Sequence, residues 1–187
     1  MSKRIAVYLG ATMPRTPAYV EAVRELGREI ARRGWTLVFG GSREGTMTVL
    51  ADEVLSHGGR AVGVFTKSLP MEWLYPGLSE THITENLGER KAMMLSLADA
   101  VVALPGSFGT WDELFDALEQ AKIDGIRGRT PKPVGVLNID GFYDGLLTLL
   151  QRSIDEGFTT AAFAELLKSA ATVPDLLAQL FDGEGNP

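Results

Sequence analysis

Asp112 and Glu113 are the carboxylates whose placement points to chemistry, because both follow directly on the turn Pro105-Gly106-Ser107-Phe108-Gly109-Thr110. Upstream, Ala100-Val101-Val102-Ala103-Leu104 is a short apolar run of the kind a buried parallel strand needs. Downstream, Leu114, Ala117, Leu118 and Ala121 fall on one helical stripe. A strand-to-helix turn of this kind aims backbone N–H groups and the positive end of a helix at the crevice above it, which favours a phosphate. Two carboxylates beside a phosphate repel it unless one is aimed past it, and past the phosphate of a nucleotide lies its ribose. Glu113 also has a purely local reading. Thr110-x-x-Glu113 has the form of a capping box, in which the carboxylate returns to the Thr110 N–H.

Arg90 and Lys91 are the cations to weigh against these carboxylates. Most charges on helices are only solvated, but cations are disfavoured near a helix N-terminus, where this pair falls. Arg90 also shares a face with Met93, Met94 and Leu97, which directs it toward the core or a pocket wall. A partly buried arginine needs an anion, such as a ligand phosphate or Glu113. Glu72 stands beside Trp73 in a loop-like connection, where a carboxylate is ordinarily solvated. Other chemistries are set aside. His57 and His82 are the two histidines, one ending a predicted helix and one opening a predicted strand, which argues against a Ser-His-Asp triad. The absence of cysteine excludes a thiolate metal site, and there is no H-E-x-x-H, no G-x-G-x-x-G and no P-loop motif. No cofactor and no metal are expected.

The elements that must position these residues alternate in type. Strands are predicted over 5–9, 35–39, 61–65, 82–84, 100–104 and 133–137. Helices are predicted from Pro17 to about Arg33, through Met47, Leu50, Ala51 and Val54, from the Asn86-x-x-Glu89 capping box to about Leu97, and over about 143–154, 162–169 and 173–181. A second glycine-rich turn, Gly40-Gly41-Ser42-Arg43-Glu44-Gly45, follows the strand at 35–39. Alternation at this spacing predicts an α/β fold: a Rossmann-like, doubly wound parallel sheet with helices on both faces. Ligands of such sheets bind beyond the carboxyl ends of the strands, where both glycine turns fall.

At 187 residues the chain fits a single domain over 1–182, with 183–187 as a flexible polar tail. A net charge of -6 argues against a general nucleic-acid binder, and no apolar run reaches the roughly 20 residues of a membrane span. The missing cysteines suit a cytoplasmic location.

Taken together, Gly40 to Met47, then Glu89-Arg90-Lys91-Ala92-Met93-Met94, then Pro105 to Glu113 resemble the LOG (Lonely Guy) family of cytokinin riboside 5'-monophosphate phosphoribohydrolases. That family's signature is P-G-G-x-G-T-x-x-E with an upstream R-K. Lys132-Pro133-Val134-Gly135-Val136-Leu137-Asn138-Ile139-Asp140-Gly141-Phe142-Tyr143 is similar to its following segment. The resemblance implies a Rossmann-like homodimer that hydrolyses the N-glycosidic bond of a purine-type nucleoside 5'-monophosphate to free base and ribose 5-phosphate. It implies that Arg90 and Glu113 are catalytic. It places Gly41, Met47, Glu72, Lys91, Gly106, Ser107, Phe108, Gly109, Thr110, Trp111 and Asp112 around the nucleotide. The sequence departs from the pattern at Ser107, which replaces the second signature glycine, and at Ser42, Leu9 and Ala11. It departs again over 119–126, followed by a short insertion at 127–131, a region that bears on base recognition or dimer contacts. Two other readings stand beside this one. One is a nucleotide or pterin-phosphate carrier on the same fold, and the other a lysine decarboxylase with pyridoxal phosphate on Lys91.

Overall fold

The computed structural model describes residues 2–181. Seven strands, β1 (Arg4–Tyr8), β2 (Thr36–Phe39), β3 (Arg60–Thr66), β4 (Glu80–Thr84), β5 (Ala100–Ala103), β6 (Val134–Leu137) and β7 (Leu167–Ala170), form one sheet in the order β4-β3-β2-β1-β5-β6-β7. Every adjacent pair is parallel. The connecting helices are α1 (Pro17–Arg32), α2 (Gly45–Ser56), α3 (Leu87–Leu97), α4 (Phe108–Ile126), α5 (Asp144–Asp155), α6 (Ala161–Ala164) and α7 (Val173–Phe181).

Period-two alternation along the strands divides the core into two layers. Ile5 and Val7 of β1 pack with Leu26 and Ile30 of α1, Leu50 and Val54 of α2, and Leu176 and Leu177 of α7. Ala6 and Tyr8 face the other way, onto Met94 of α3 and Leu114, Ala117 and Ala121 of α4. Helices therefore cover both faces, as the near-continuous apolar strands require. The order of strands reverses between β1 and β5, because β1 pairs with β2 on one side and β5 on the other. A crevice opens there beyond the strand ends.

One predicted helix is corrected. The stretch 162–169 holds only the last three residues of the four-residue α6 and then enters β7, whose register pairs Val134 with Leu167 and Leu137 with Ala170. Pairing with the open edge of β6 satisfies the backbone there and overrides the helical propensity of an alanine-rich segment. Only Leu167 of this strand is buried, so it carries no alternating pattern.

The connection between β3 and β4 holds a short 3₁₀ turn, Met71–Trp73, and folds back over the turn that carries Gly40 to Gly45. Ser42 and Leu74 form an antiparallel bridge, the Arg43 N–H donates to the Trp73 carbonyl at 2.7 Å, and the Tyr75 N–H donates to that of Gly41 at 2.8 Å. Gly41 has φ 69°, and a Cβ there would meet the Gly63 backbone at 3.2 Å, so only glycine suits the position. No helix among the described residues is long and apolar enough to cross a membrane. The expected tail at 183–187 lies outside the described residues.

Candidate active site

Three chain segments meet at the crevice. The turn after β1 carries Gly10 and Ala11, onto which the start of α2 is locked: Thr46 Oγ1 donates to the Gly10 carbonyl at 2.7 Å. Gly45, at φ 53°, lies so close that a Cβ would sit 2.4 Å from the Ala11 carbonyl carbon. The turn after β5 leads through Gly106 and Ser107 into α4. The first amides of α4, at Phe108, Gly109 and Thr110, have no intrahelical acceptor, and the Ser107 side chain does not cap them. That is the local geometry that attracts an anion.

Helix α4 begins at Phe108, which overturns the capping-box reading of Thr110 and Glu113. With Ser107 as the N-cap residue, Glu113 falls in the second turn, beyond reach of that role. Its carboxylate turns inward to Arg90 instead, with Arg90 Nη1 3.1 Å from Glu113 Oε1 and both side chains 11% exposed. Arg90 also donates through Nε to the Val64 carbonyl at 2.9 Å and through Nη2 to that of Gly40 at 3.2 Å. A Cβ on Gly40 would lie 1.8 Å from Arg90 Nη2, so the glycine leaves the guanidinium its place. The arginine is brought there by α3, whose start is fixed by Asn86: its side chain accepts from the Glu89 N–H at 2.9 Å.

Burial raises the Glu113 carboxyl to about 7, against the pull of Arg90 and with a further push from Asp112. A carboxyl poised near neutrality, beside an anion-attracting helix end, has the properties of a general acid or base. The crevice encloses about 210 Å³. Its polar wall is Arg90, Ser107, Thr110 and Glu113, with Gly109 beside them, and its apolar wall is Val7, Leu9, Met47 and Leu69.

Of the residues singled out from sequence, the crevice thus gathers Arg90, Glu113, Met47, Ser107, Gly109 and Thr110. Gly106 lines an adjoining pocket of about 240 Å³ that shares Gly10, Ala11 and Ser107 with the crevice. The others lie elsewhere. Gly41 packs beneath, on Gly63, and Glu72 is exposed on the 3₁₀ turn. Lys91 reaches Asp112 at 2.9 Å and Asp116 at 3.9 Å. Phe108 is 83% exposed, and Trp111 lines a groove between α4 and α5. Leu69 escaped sequence reasoning; its one signal is an isolated aliphatic residue in a connection that otherwise reads as loop. Ser107 has φ -128° and ψ -156°, an extended conformation open to any residue, so replacing the signature glycine leaves its N–H in place. The segment 127–131 begins as the stop of α4, with Gly128 at φ 70°, and lines none of the crevice.

Known proteins share the sequence and the fold. The model of the family described as "Possible lysine decarboxylase" matches residues 47–180. The cytokinin riboside 5'-monophosphate phosphoribohydrolase LOG7 of Arabidopsis thaliana is 39% identical over 184 residues, which is 97% of this chain and 82% of that protein. The enzyme named LOG from Oryza sativa subsp. japonica is 38% identical over 95% of this chain and 72% of its own length. Among solved structures, the molybdenum cofactor binding protein of Rippkaea orientalis has a TM-score of 0.70 at 22% identity, covering 98% of this chain and 97% of its own, a likeness of fold. The match to both plant enzymes spans the Gly40 turn, Arg90 and the Pro105 to Glu113 segment alike, and the chain belongs to the LOG family of cytokinin riboside 5'-monophosphate phosphoribohydrolases.

Proposed function

We propose that this chain hydrolyses the N-glycosidic bond of a purine-type nucleoside 5'-monophosphate, a cytokinin or adenosine nucleotide, to free base and ribose 5-phosphate. The observation that carries the reading is the buried Arg90–Glu113 pair, set beside the uncapped start of α4. The amides of that helix end hold the 5'-phosphate and so fix the sugar. As the C1'–N9 bond breaks, its electron pair leaves with the base and the ribose gains oxocarbenium character. The Glu113 carboxylate stabilises that charge and takes a proton from the water that adds to C1'; the departing base takes up a proton in turn. Arg90 keeps Glu113 oriented toward the crevice. Family membership supports an enzyme, since the related plant proteins bear the name of this activity.

The lysine decarboxylase reading is disfavoured by the lysine it needs. A Schiff base forms on a neutral amine, whereas the hydrogen bond to Asp112 raises Lys91 and holds it protonated. The residues present do not fit pyridoxal phosphate at Lys91. We place the enzyme in the cytoplasm as a homodimer. An exposed apolar face supports the pairing: Phe115 is 51% and Leu149 61% exposed, on either side of the groove between α4 and α5.

Release of free base from AMP and from N6-isopentenyl AMP, followed by chromatography in the parent and in Glu113→Gln, tests the reading. Base and ribose 5-phosphate from the parent alone support it. Saturable binding with no release from either nucleotide would turn the assignment to a carrier.

A further inference from the structure

We propose that Tyr143 is a positioning residue for the anion-binding turn of the site, an inference that rests on the nucleotide reading above. The segment after β6, from Asn138 to Asp144, lines none of the catalytic crevice, yet it is held by several hydrogen bonds. Asp140, at φ 49°, is the one non-glycine residue with positive φ among the described residues, and Gly141 follows at φ 70°. Such strain persists only where the surroundings enforce it. Here they do. The Asn138 N–H donates to the Ala170 carbonyl at 2.8 Å, which ties the turn to β7. Asn138 Oδ1 accepts from the Tyr143 N–H at 2.7 Å, and Asn138 Nδ2 donates to Asp144 Oδ1 at 2.8 Å.

The outcome of this fastening is the placement of one phenol. Tyr143 is 2% exposed, and its hydroxyl donates to the Leu104 carbonyl at 2.7 Å. Leu104 is the last residue before Pro105-Gly106-Ser107. Its N–H donates to the Tyr8 carbonyl at 2.9 Å, so Leu104 is gripped from β1 through its N–H and from the Asn138 turn through its carbonyl. Pro105 has a fixed φ and no N–H of its own. The orientation of the Leu104 carbonyl therefore sets the direction in which the chain leaves β5 and delivers Ser107, Gly109 and Thr110 to the crevice. Phe142 packs edge-on against Tyr143 and lines the adjoining pocket together with Pro105, Gly106 and Ser107.

Arg90 is anchored independently, on α3 and through Val64 and Gly40, and it holds Glu113 through the ion pair between them. Loosening the Leu104 peptide should therefore weaken the hold on phosphate while leaving the chemical step intact. The test uses Tyr143→Phe, which keeps the ring and removes the hydroxyl. Calorimetric titration with AMP and with adenosine, alongside steady-state kinetics on AMP, reads the effect. The expected result is a KM for AMP raised on the order of tenfold, as loss of one buried hydrogen bond predicts, with kcat held within about threefold. The ratio of AMP affinity to adenosine affinity falls by the same factor, whereas a merely loosened fold would weaken both ligands alike. Asn138→Ala, which frees the turn but keeps the phenol, should shift the ratio in the same direction. An unchanged ratio in either folded variant overturns the inference while the nucleotide reading stands. A parent protein that binds neither AMP nor ribose 5-phosphate overturns both.

Discussion

Arg90 Nη1 lies 3.1 Å from Glu113 Oε1, and the same guanidinium donates to two carbonyls, that of Val64 toward the end of β3 and that of Gly40 just after β2. Helix α3, helix α4 and the ends of β2 and β3 are thus joined at one side chain. The pair is both a structural junction and the charged part of the polar wall of the crevice.

Removing one partner of such a pair strands the other. Arg90→Ala should cost about 3–5 kcal/mol in urea unfolding at neutral pH, since it strands Glu113 in the interior and takes a donor from two carbonyls. Arg90→Lys should recover only part of this, because the donors of a compact ammonium share one nitrogen and cannot span the acceptors that Nε, Nη1 and Nη2 reach from separate atoms.

Glu113→Gln should lower kcat/KM for base release by about 10²–10⁴, the range for loss of a general acid–base group. AMP affinity should stay within about threefold, since the proposed anion site is made by backbone amides. Turnover near that of the parent would remove Glu113 from the mechanism.

The raised Glu113 carboxyl also predicts a pH signature with a definite sign. Folded protein holds this proton up to about 7, whereas the unfolded chain releases it near 4.5. Between those values the native state binds more protons, so its stability falls as pH rises from about 4.5 to about 7. Glu113→Gln should abolish this contribution, and the difference between the two proteins in urea midpoints against pH measures it. If the carboxylate is the active form, kcat/KM rises with pH through the same neutral region, allowing for the phosphate's own ionisation near ~6. In Arg90→Lys the inflection should move upward, because a less well-matched cation stabilises the carboxylate less.

The two glycines of the α4 turn offer opposite tests. A Cβ at Gly106 would meet Thr110 Oγ1 at 2.2 Å and Thr110 Cβ at 2.7 Å, so Gly106→Ala must displace the helix start and should lower both stability and AMP affinity. At Gly109 an added Cβ meets nothing within 4 Å. Gly109→Ala should therefore fold at least as well as the parent, with about 0.5–1 kcal/mol of helix propensity in its favour. A loss of AMP binding there, measured calorimetrically, reports the ligand filling that space.

Phe115→Asp places a charge on the exposed apolar face between α4 and α5. Sedimentation velocity should show a dimer for the parent and a monomer for the variant, with the thermal unfolding of the monomer little changed because half of that side chain is already in water.

Much of this architecture was readable from residue order. Apolar runs such as Val101-Val102-Ala103 and the glycine turns after them announce parallel strands and their crossovers, and the face shared by Arg90, Met93, Met94 and Leu97 correctly sent the arginine inward. What stayed hidden depends on partners distant in sequence. β7 exists because β6 offers it an edge, not because Leu167-Lys168-Ser169-Ala170 alternates. The inward turn of Glu113 follows from where α4 starts, and Thr110-x-x-Glu113 carried a stronger local signal for a cap. Leu69 reaches the crevice only because the connection carrying it is pinned to Gly41 and Arg43.

Strand β1 sits at the middle of the sheet, yet its partner on one side is β2 and on the other β5, with Ile5 in register with both Leu37 and Ala100. During synthesis, a chain that ends before β5 already holds the Gly40 turn and Arg90 but has neither the α4 amides nor Glu113. No nucleotide can shelter such an intermediate. Ligand rescue of a destabilised variant therefore acts only after the long-range closure of β5 onto β1, and nucleotide added to an in vitro translation should protect full-length product from protease while leaving arrested fragments as vulnerable as before.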